Sequence, residues 1–190
     1  MLSDTGFVAL NAIYLKKTVT AAVIADVTAL PAHMVSLRLA AAADEVWIMN
    51  LPTGAMLLTE GTEQVPAHYR DAYASVRIDP SLIRWYKNFE TLNMRFIAAV
   101  REWQHSEGDE RVERYLLEAA KTLVKDIGQL IPKIPRYAAT YTRRLERSMD
   151  RVHSNLRDFV CMPTVDSMHN LWFEFHEDIL AVLGRPRDAT

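Results

Sequence analysis

The chain has 190 residues, of which 49% are hydrophobic and 24% charged, a balance typical of soluble globular proteins with one domain or two small ones. Its apolar runs are too short to span a bilayer, its N-terminus lacks the features of a secretory signal, and its single cysteine, Cys161, excludes an internal disulfide framework. The formal net charge is −2, but residues 1–65 alone contain three basic and six acidic residues. We therefore expect a cytoplasmic protein that does not enter membranes and whose first third is acidic.

The first third of the chain predicts three helices. Ser3 or Asp4 caps a helix that extends to about Thr18, and Thr20 caps a second helix with the sequence TAAVIADVTAL. Pro31 then stands where helices tolerate proline, in the first turn of PAHMVSLRLAAAAD. The short connection between the second and third helices is typical of a helix-turn-helix pair.

A β-hairpin is predicted after the third helix. The β-favouring segments VWIM and AMLL flank Asn50-Leu51-Pro52-Thr53-Gly54, which has the composition of a turn. Three helices followed by a hairpin is the order of a winged helix-turn-helix domain, which we assign to residues 1–65.

The same segment resembles the DNA-reading region of MarR-type winged-helix regulators. The resemblance covers residues 7–65 and includes the short turn, the proline-started helix and Leu58-Thr59-Glu60-Gly61, which is similar to the phrase that ends the wing in that family. Asp44-Glu45 departs from the family pattern, because a glycine usually ends the recognition helix there. The resemblance implies a transcriptional regulator that binds DNA as a homodimer.

Seven residues are candidates for DNA contacts. Four lie on the third helix and would reach bases or phosphates: Ala32, His33, Ser36 and Arg38. Three lie at the end of the first helix and at the wing tip and would contact the DNA backbone: Lys16, Lys17 and Thr53. A strong site neutralises about 6–10 phosphates, whereas this segment supplies only three basic residues per chain. An alternative therefore stays open, in which an acidic winged helix binds a protein partner instead of DNA.

The remaining chain predicts a junction at residues 66–80 and an antiparallel bundle of four long helices at residues 81–190. Asp79 and Pro80 begin the first helix, Gly108-Asp109 separate it from the second, Pro135 begins the third and Thr164 caps the fourth. Apolar residues repeat at spacings of three and four in each helix, and those of the third extend to Leu156 and Phe159. The predicted fold is thus mainly α, with a bundle for effector binding, dimerisation or both.

The closing segment SMHNLWFEFHEDIL resembles the last helix of a group of actinobacterial MarR-like proteins. Their helical half ends in a phrase of the type S-Y-H-x-V-W-F-E-L-H-E-D-L-L, which residues 167–180 match at most positions, with Met168 in place of the tyrosine. Upstream, Leu92-Asn93, Trp103-Gln104 and Arg144-Leu145 resemble further short phrases of the same group. This resemblance spans most of residues 80–187 and implies the two-part architecture, but no particular chemistry.

His169 and His176 invite a comparison with metal and acid–base sites. They share one helix face but stand seven residues apart, roughly 10 Å along the axis, so one ion would need ligands from neighbouring helices, for example His153 or Asp150. The alternative is that both are partly buried histidines of the bundle. In a third interpretation, the histidines help to line a pocket between the helices for a small effector. The candidate lining residues of that pocket are Trp85, Trp103, Tyr137, Tyr141, His169, Trp172, Phe173 and His176.

The sequence contains no nucleophile motif, P-loop or dinucleotide-binding fingerprint. We therefore predict no catalytic residue, no metal and no cofactor. The leading hypothesis is a DNA-binding homodimeric regulator, followed by a protein-interaction module and then by a metal- or substrate-binding helical enzyme.

Overall fold

The computed structural model describes residues 2–106 and 108–186, which are mainly helical with one small antiparallel sheet. The α-helices are α1 Asp4–Lys16, α2 Ala21–Thr28, α3 Ala32–Asp44, α4 Thr59–Ala72, α5 Ala74–Arg77, α6 Pro80–His105, α7 Glu110–Gly128, α8 Arg143–His153, α9 Asp158–Cys161 and α10 Met168–Leu183. A π-helical segment, Ala138–Thr142, precedes α8, and the strands are β1 Thr18–Val19, β2 Ile48–Leu51 and β3 Gly54–Leu57. None of the helices in the described ranges is both long and apolar enough to cross a membrane.

The described residues form two compact units. Residues 2–77 together with 177–186 make up one, here called the N-terminal unit, and residues 78–176 make up the other, the helical unit. The boundary at 77/78 falls inside the predicted junction of residues 66–80. The second boundary, at 176/177, lies within α10, so the end of the helix predicted to close the bundle belongs to the N-terminal unit.

Local capping explains where the first helices begin. The Ser3 hydroxyl accepts from the Gly6 N–H at 3.2 Å, and the Thr20 hydroxyl accepts from the Val23 N–H at 3.3 Å. Each cap satisfies one of the N–H groups that the first helical turn leaves without a partner. The helices then bury one apolar side each, and the core of this unit includes Phe7, Leu10, Ile13, Ile24, Val27 and Val35.

The sheet of the N-terminal unit contains the predicted hairpin and one strand that was not predicted. β2 and β3 pair antiparallel with Met49 opposite Met56, and β1 pairs with the other edge of β3, giving the order β1-β3-β2. The expectation that the first helix reaches Thr18 was wrong, because α1 ends at Lys16 and Thr18 joins the sheet. Gly54 permits this pairing, since a Cβ there would lie 2.5 Å from the carbonyl group of Val19.

Helix α4 begins within the segment Leu58–Gly61, which was predicted to end the wing. Leu58 is the N-cap of α4, and the helix starts at Thr59 and continues through Pro66 to Ala72. The last turn of α10 is held in the same unit by Arg77, whose Nε donates to the Val182 carbonyl at 3.0 Å. Its Nη2 donates to the Tyr69 carbonyl at 3.2 Å, so one guanidinium caps the ends of two helices.

The helical unit begins as predicted, with Asp79 accepting from the Ser81 N–H at 2.7 Å and Pro80 in the first turn of α6. Asp109 caps α7 in the same way. The third predicted helix passes through the π-helical segment and ends at His153, so Leu156 does not join its apolar face and is 45% exposed. The predicted cap at Thr164 was also wrong: α10 begins at Met168, and Ser167 accepts from the Asn170 N–H.

Candidate nucleic-acid interface

The predicted contact surface is built by α2, the turn after it and α3. Ala29 ends α2 in the left-handed conformation, with φ 57° and ψ 20°, and Pro31 follows as the residue before α3. No side chain caps the first turn of α3, and the Met34 N–H donates to the Pro31 carbonyl at 2.9 Å. The N–H groups of Ala32 and His33, at the start of the helix, are available to an anion such as a phosphate.

The outer face of α3 is exposed but poor in charge. Ala32, His33, Ser36 and Leu37 are exposed, and Leu37 retains 56% of its accessible surface. Four of the seven predicted DNA-contact residues lie on α3, and of these only Arg38 carries a permanent charge. A face of this composition offers hydrogen bonds and apolar contacts to a partner, with little electrostatic attraction to phosphates.

Arg38 is partly used inside the protein. Its side chain is half-buried, and its Nε donates to the Thr5 hydroxyl of α1 at 2.8 Å. It also lines a small cavity of ≈ 190 Å³ between α1 and α3 whose other walls include Leu10 and Trp47. Arg38 thus ties α3 to α1, a structural role that the sequence pattern did not indicate.

The remaining predicted contacts lie at the end of α1 and at the hairpin tip. Thr53 is exposed in the turn between β2 and β3. Lys17 is exposed and has a positive φ of 70° at the end of α1, and its Nζ lies 5.2 Å from the centre of the Tyr14 ring. Lys16 is half-buried. No lysine or arginine lies in the hairpin turn, residues 52–53, which would be the part to enter a minor groove.

The surface of residues 2–77 is also poor in positive charge. Among residues 2–77, seven acidic side chains are exposed, against two basic ones, Lys17 and Arg70. Arg70 lies 3.6 Å from Asp71, so part of its charge is locally compensated. The surface around α3 therefore relies on a small number of cations for any attraction to nucleic acid.

The aromatic residues predicted to line an effector pocket lie in the helical unit, where most are packed against one another. Trp172 stacks on Phe96 with ring centres 3.8 Å apart, and its Nε1 donates to Asn93 at 2.8 Å. Trp85 stacks on Phe89. Tyr137 and Tyr141, both fully buried, contact each other and Phe175 edge to face. These ring faces are already occupied by protein, which is the arrangement of a hydrophobic core.

The other members of the predicted pocket contact other parts of the helical unit. Trp103 is buried, and the Arg157 guanidinium lies 6.0 Å from its ring centre. His169 contacts Phe173 edge to face at 4.7 Å, and burial lowers its pKa below the usual 6.5. The Nε2 of His176 lies 3.3 Å from the Tyr86 hydroxyl.

The two histidines are not joined into a metal site. Within the described residues, no group of three histidine, cysteine, aspartate or glutamate side chains is placed to hold a metal ion. Cys161 is half-buried, and burial raises the pKa of its thiol, which disfavours the nucleophilic thiolate.

A buried ion cluster was missed by the sequence analysis. Arg144 is almost fully buried and forms two parallel hydrogen bonds of 2.8 Å with the carboxylate of Asp166, while Glu174 lies 2.9 Å from its Nη2. Burial alone would lower the pKa of Arg144, but the hydrogen bonds to Asp166 and the charges of Glu174 and Asp166 outweigh it and raise the pKa above its ordinary value. Arg147 adds a second cation, 3.3 Å from Asp166.

One signal could have revealed this cluster. Arg144 lies between Tyr141 and Leu145 on the helix, within the buried stripe, so an arginine at this position must find acidic partners inside the fold. The identity of those partners, 22 and 30 positions further along the chain, has no local signature.

Comparison of the chain with protein-family models, curated proteins and solved structures returned no match.

Proposed function

We propose that the chain is a DNA-binding transcriptional regulator of the winged-helix type that acts as a homodimer, with α3 as the recognition helix. The observation that carries the proposal is the element order α1-β1-α2-α3-β2-β3 combined with the sheet order β1-β3-β2. In winged helix-turn-helix domains this order presents the third helix to the major groove and the β2–β3 hairpin to the flanking backbone.

In this proposal each part of the surface has one role. The uncapped first turn of α3 binds a phosphate, and His33 and Ser36 read base edges because both are exposed and can donate or accept hydrogen bonds. Lys16 and Lys17 neutralise phosphates, and Thr53 contacts the backbone from the hairpin tip. Two copies would place two such helices on successive major grooves, about 34 Å apart.

Regulation by a small effector is part of the same proposal. A ligand that prefers one arrangement of the dimer shifts the population toward it, and it changes DNA affinity only by the ratio of its affinities for the two states. The helical unit is the proposed location of the effector.

The test is selection of bound sequences from a random duplex library, followed by anisotropy titration of the enriched duplex. We expect an inverted repeat to be enriched, and His33→Ala to weaken its binding about tenfold through loss of a base contact. His105→Ala, which removes an exposed histidine of α6, is the matched control and should leave affinity unchanged. Failure to enrich any sequence at low salt would refute the proposal.

A second candidate function is favoured by one observation, the apolar and uncharged character of the α3 face. Leu37 of α3 is 56% exposed, Val23 of the preceding helix α2 is 40% exposed, and the half-buried Arg38 is the only lysine or arginine of α3. These features suit a winged helix that binds another protein. Leu37→Lys separates the two candidates, since it adds charge that favours DNA binding and removes the apolar contact that a protein partner would need.

A further inference from the structure

A cleft of ≈ 520 Å³ lies between the second half of α6 and the first two turns of α7, within the helical unit. Its floor is apolar and consists of the buried side chains Ala99 and Val112. Tyr115 forms one wall and is 40% exposed. The size is within the range of small-molecule sites, about 300–1,000 Å³, and the floor and wall together offer apolar surface that a ligand would cover.

Three charged side chains surround this floor. Arg95, Arg111 and Glu102 line the cleft, so the lining carries one more positive than negative charge. The Nη2 of Arg111 lies 3.4 Å from a carboxylate oxygen of Glu102 and 3.7 Å from one of Asp109, and its side chain is 77% exposed. Ion pairs this exposed contribute little stability, so the Arg111 guanidinium can turn from these partners to a ligand's anionic group at little cost.

The selectivity of this cleft for charge comes from the two guanidinium groups. The N-terminus of α7 is already capped by the Asp109 carboxylate and its first turn contains Glu110 and Glu113, so the helix terminus adds no further attraction for anions. The guanidinium groups favour an anionic group, while the apolar floor and the Tyr115 ring favour an uncharged body next to it.

We propose that this cleft binds a small organic anion with an aromatic or apolar body. The acidic group of the ligand pairs with Arg95 and Arg111, and its body lies on Ala99 and Val112 against the Tyr115 ring. The site differs from the predicted aromatic pocket, none of whose residues lines it. Binding here does not require the chain to bind DNA, so a negative DNA experiment leaves this inference standing.

The test is calorimetric titration of the full chain with three probes of one shape: 2-naphthoate, neutral 2-naphthylmethanol and cationic 2-naphthylmethylamine. We expect saturable binding of one naphthoate per chain, with the neutral and cationic probes at least about tenfold weaker, because they cannot form the charge-assisted hydrogen bonds. The Arg95→Gln/Arg111→Gln variant should lose about tenfold in naphthoate affinity for the same reason.

The matched control is Arg84→Gln/Arg101→Gln, which removes the same charge from exposed positions of α6 outside the cleft and should bind naphthoate as the wild type does. Ala98→Trp is a second, charge-neutral test, since it fills the cleft from an exposed helix position and should abolish binding with the circular dichroism spectrum retained. Absence of saturable binding at millimolar naphthoate would overturn the proposal. Equal affinity for the three probes, equal loss in the two double variants, or full binding by Ala98→Trp would do so as well.

Discussion

Replacing Arg144 by methionine tests the energetic importance of the buried ion cluster. Methionine keeps much of the length of the side chain but removes the donors to Asp166, to the Thr140 carbonyl and to Glu174. Loss of one partner from a buried pair costs about 3–5 kcal/mol, because the opposite charge stays buried without compensation. Asp166 and Glu174 keep 18% and 14% of their side-chain exposure, and Arg147 still reaches Asp166, so we expect the low end, about 3 kcal/mol.

The measurement is urea denaturation followed by circular dichroism, with thermal unfolding as a second readout. For a chain of this size about 3 kcal/mol corresponds to a loss of about 6–12 °C in Tm. Arg143→Met, at the exposed preceding position of the same helix, is the control and should change stability by less than about 0.5 kcal/mol. The triple variant Arg144→Met/Asp166→Asn/Glu174→Gln should recover part of the loss, since it leaves no buried charge. A single variant within about 1 kcal/mol of the wild type would show that the cluster is solvated and that this reasoning fails.

Three further outcomes are expected. Gly184→Ala should destabilise the chain by about 1 kcal/mol or more, because Gly184 has a φ of +66° and a Cβ there would lie 2.8 Å from the Arg77 guanidinium. The control, Gly128→Ala, lies in open space at the end of α7 and should be neutral or stabilising in the same denaturation assay. The folded-state pKa of His169 lies below its unfolded value of 6.5, so the unfolded chain binds more protons and the free energy of unfolding falls as pH drops below about 6.5. The His169→Gln variant should lose less free energy of unfolding between about pH 7.5 and 5.5 than the wild type. An equal loss would contradict the assignment to His169. If the proposed dimer neutralises phosphates with Lys16 and Lys17 of each chain, the slope of log affinity against log salt should be about −4, and Lys16→Ala/Lys17→Ala should remove most of it. A slope unaffected by that variant would remove these lysines from the interface.

The features that sequence analysis predicted correctly are those that nearby residues decide. Thr20, Asp79 and Asp109 cap helices because their side chains reach N–H groups two or three positions ahead. The β2–β3 hairpin is predictable for a similar reason, since two β-favouring segments flank a short turn.

The features that were missed depend on distant residues. β1 has only two residues: Thr18 and Val19 both favour strands, but a segment this short predicts one only once Met56 and Ala55 of β3 lie opposite. The third helix of the bundle ends at His153 although the apolar spacing continues, because Asn155 adopts a positive φ of 61° and breaks the repeat. Periodicity counts apolar positions and does not detect such a break.

In the candidate sites, too, the features that nearby residues decide were predictable, and those that depend on distant residues were not. The exposure of Ala32, His33 and Ser36 follows from the amphipathic pattern of α3, but the bond between Arg38 and Thr5, 33 positions apart, does not. The cleft between α6 and α7 also lacked a signal, because its residues come from two helices and only packing brings Arg95 near Arg111.

Much of the segment SMHNLWFEFHEDIL has a structural explanation. The Ser167 hydroxyl caps α10, and four further side chains contact other parts of the protein: Trp172 contacts Asn93, Glu174 contacts Arg144, His176 contacts Tyr86, and Asp178 contacts Asn11. Asp178 is fully buried, and its partner Asn11 also accepts from the Tyr69 hydroxyl at 3.0 Å, so this carboxylate belongs to a hydrogen-bonded network of the N-terminal unit. Buried polar groups with partners specify a fold, and such constraints account for part of a sequence phrase of this kind. The α6–α7 cleft offers what a ligand needs in another place, because charged and aromatic side chains remain exposed there around an apolar floor.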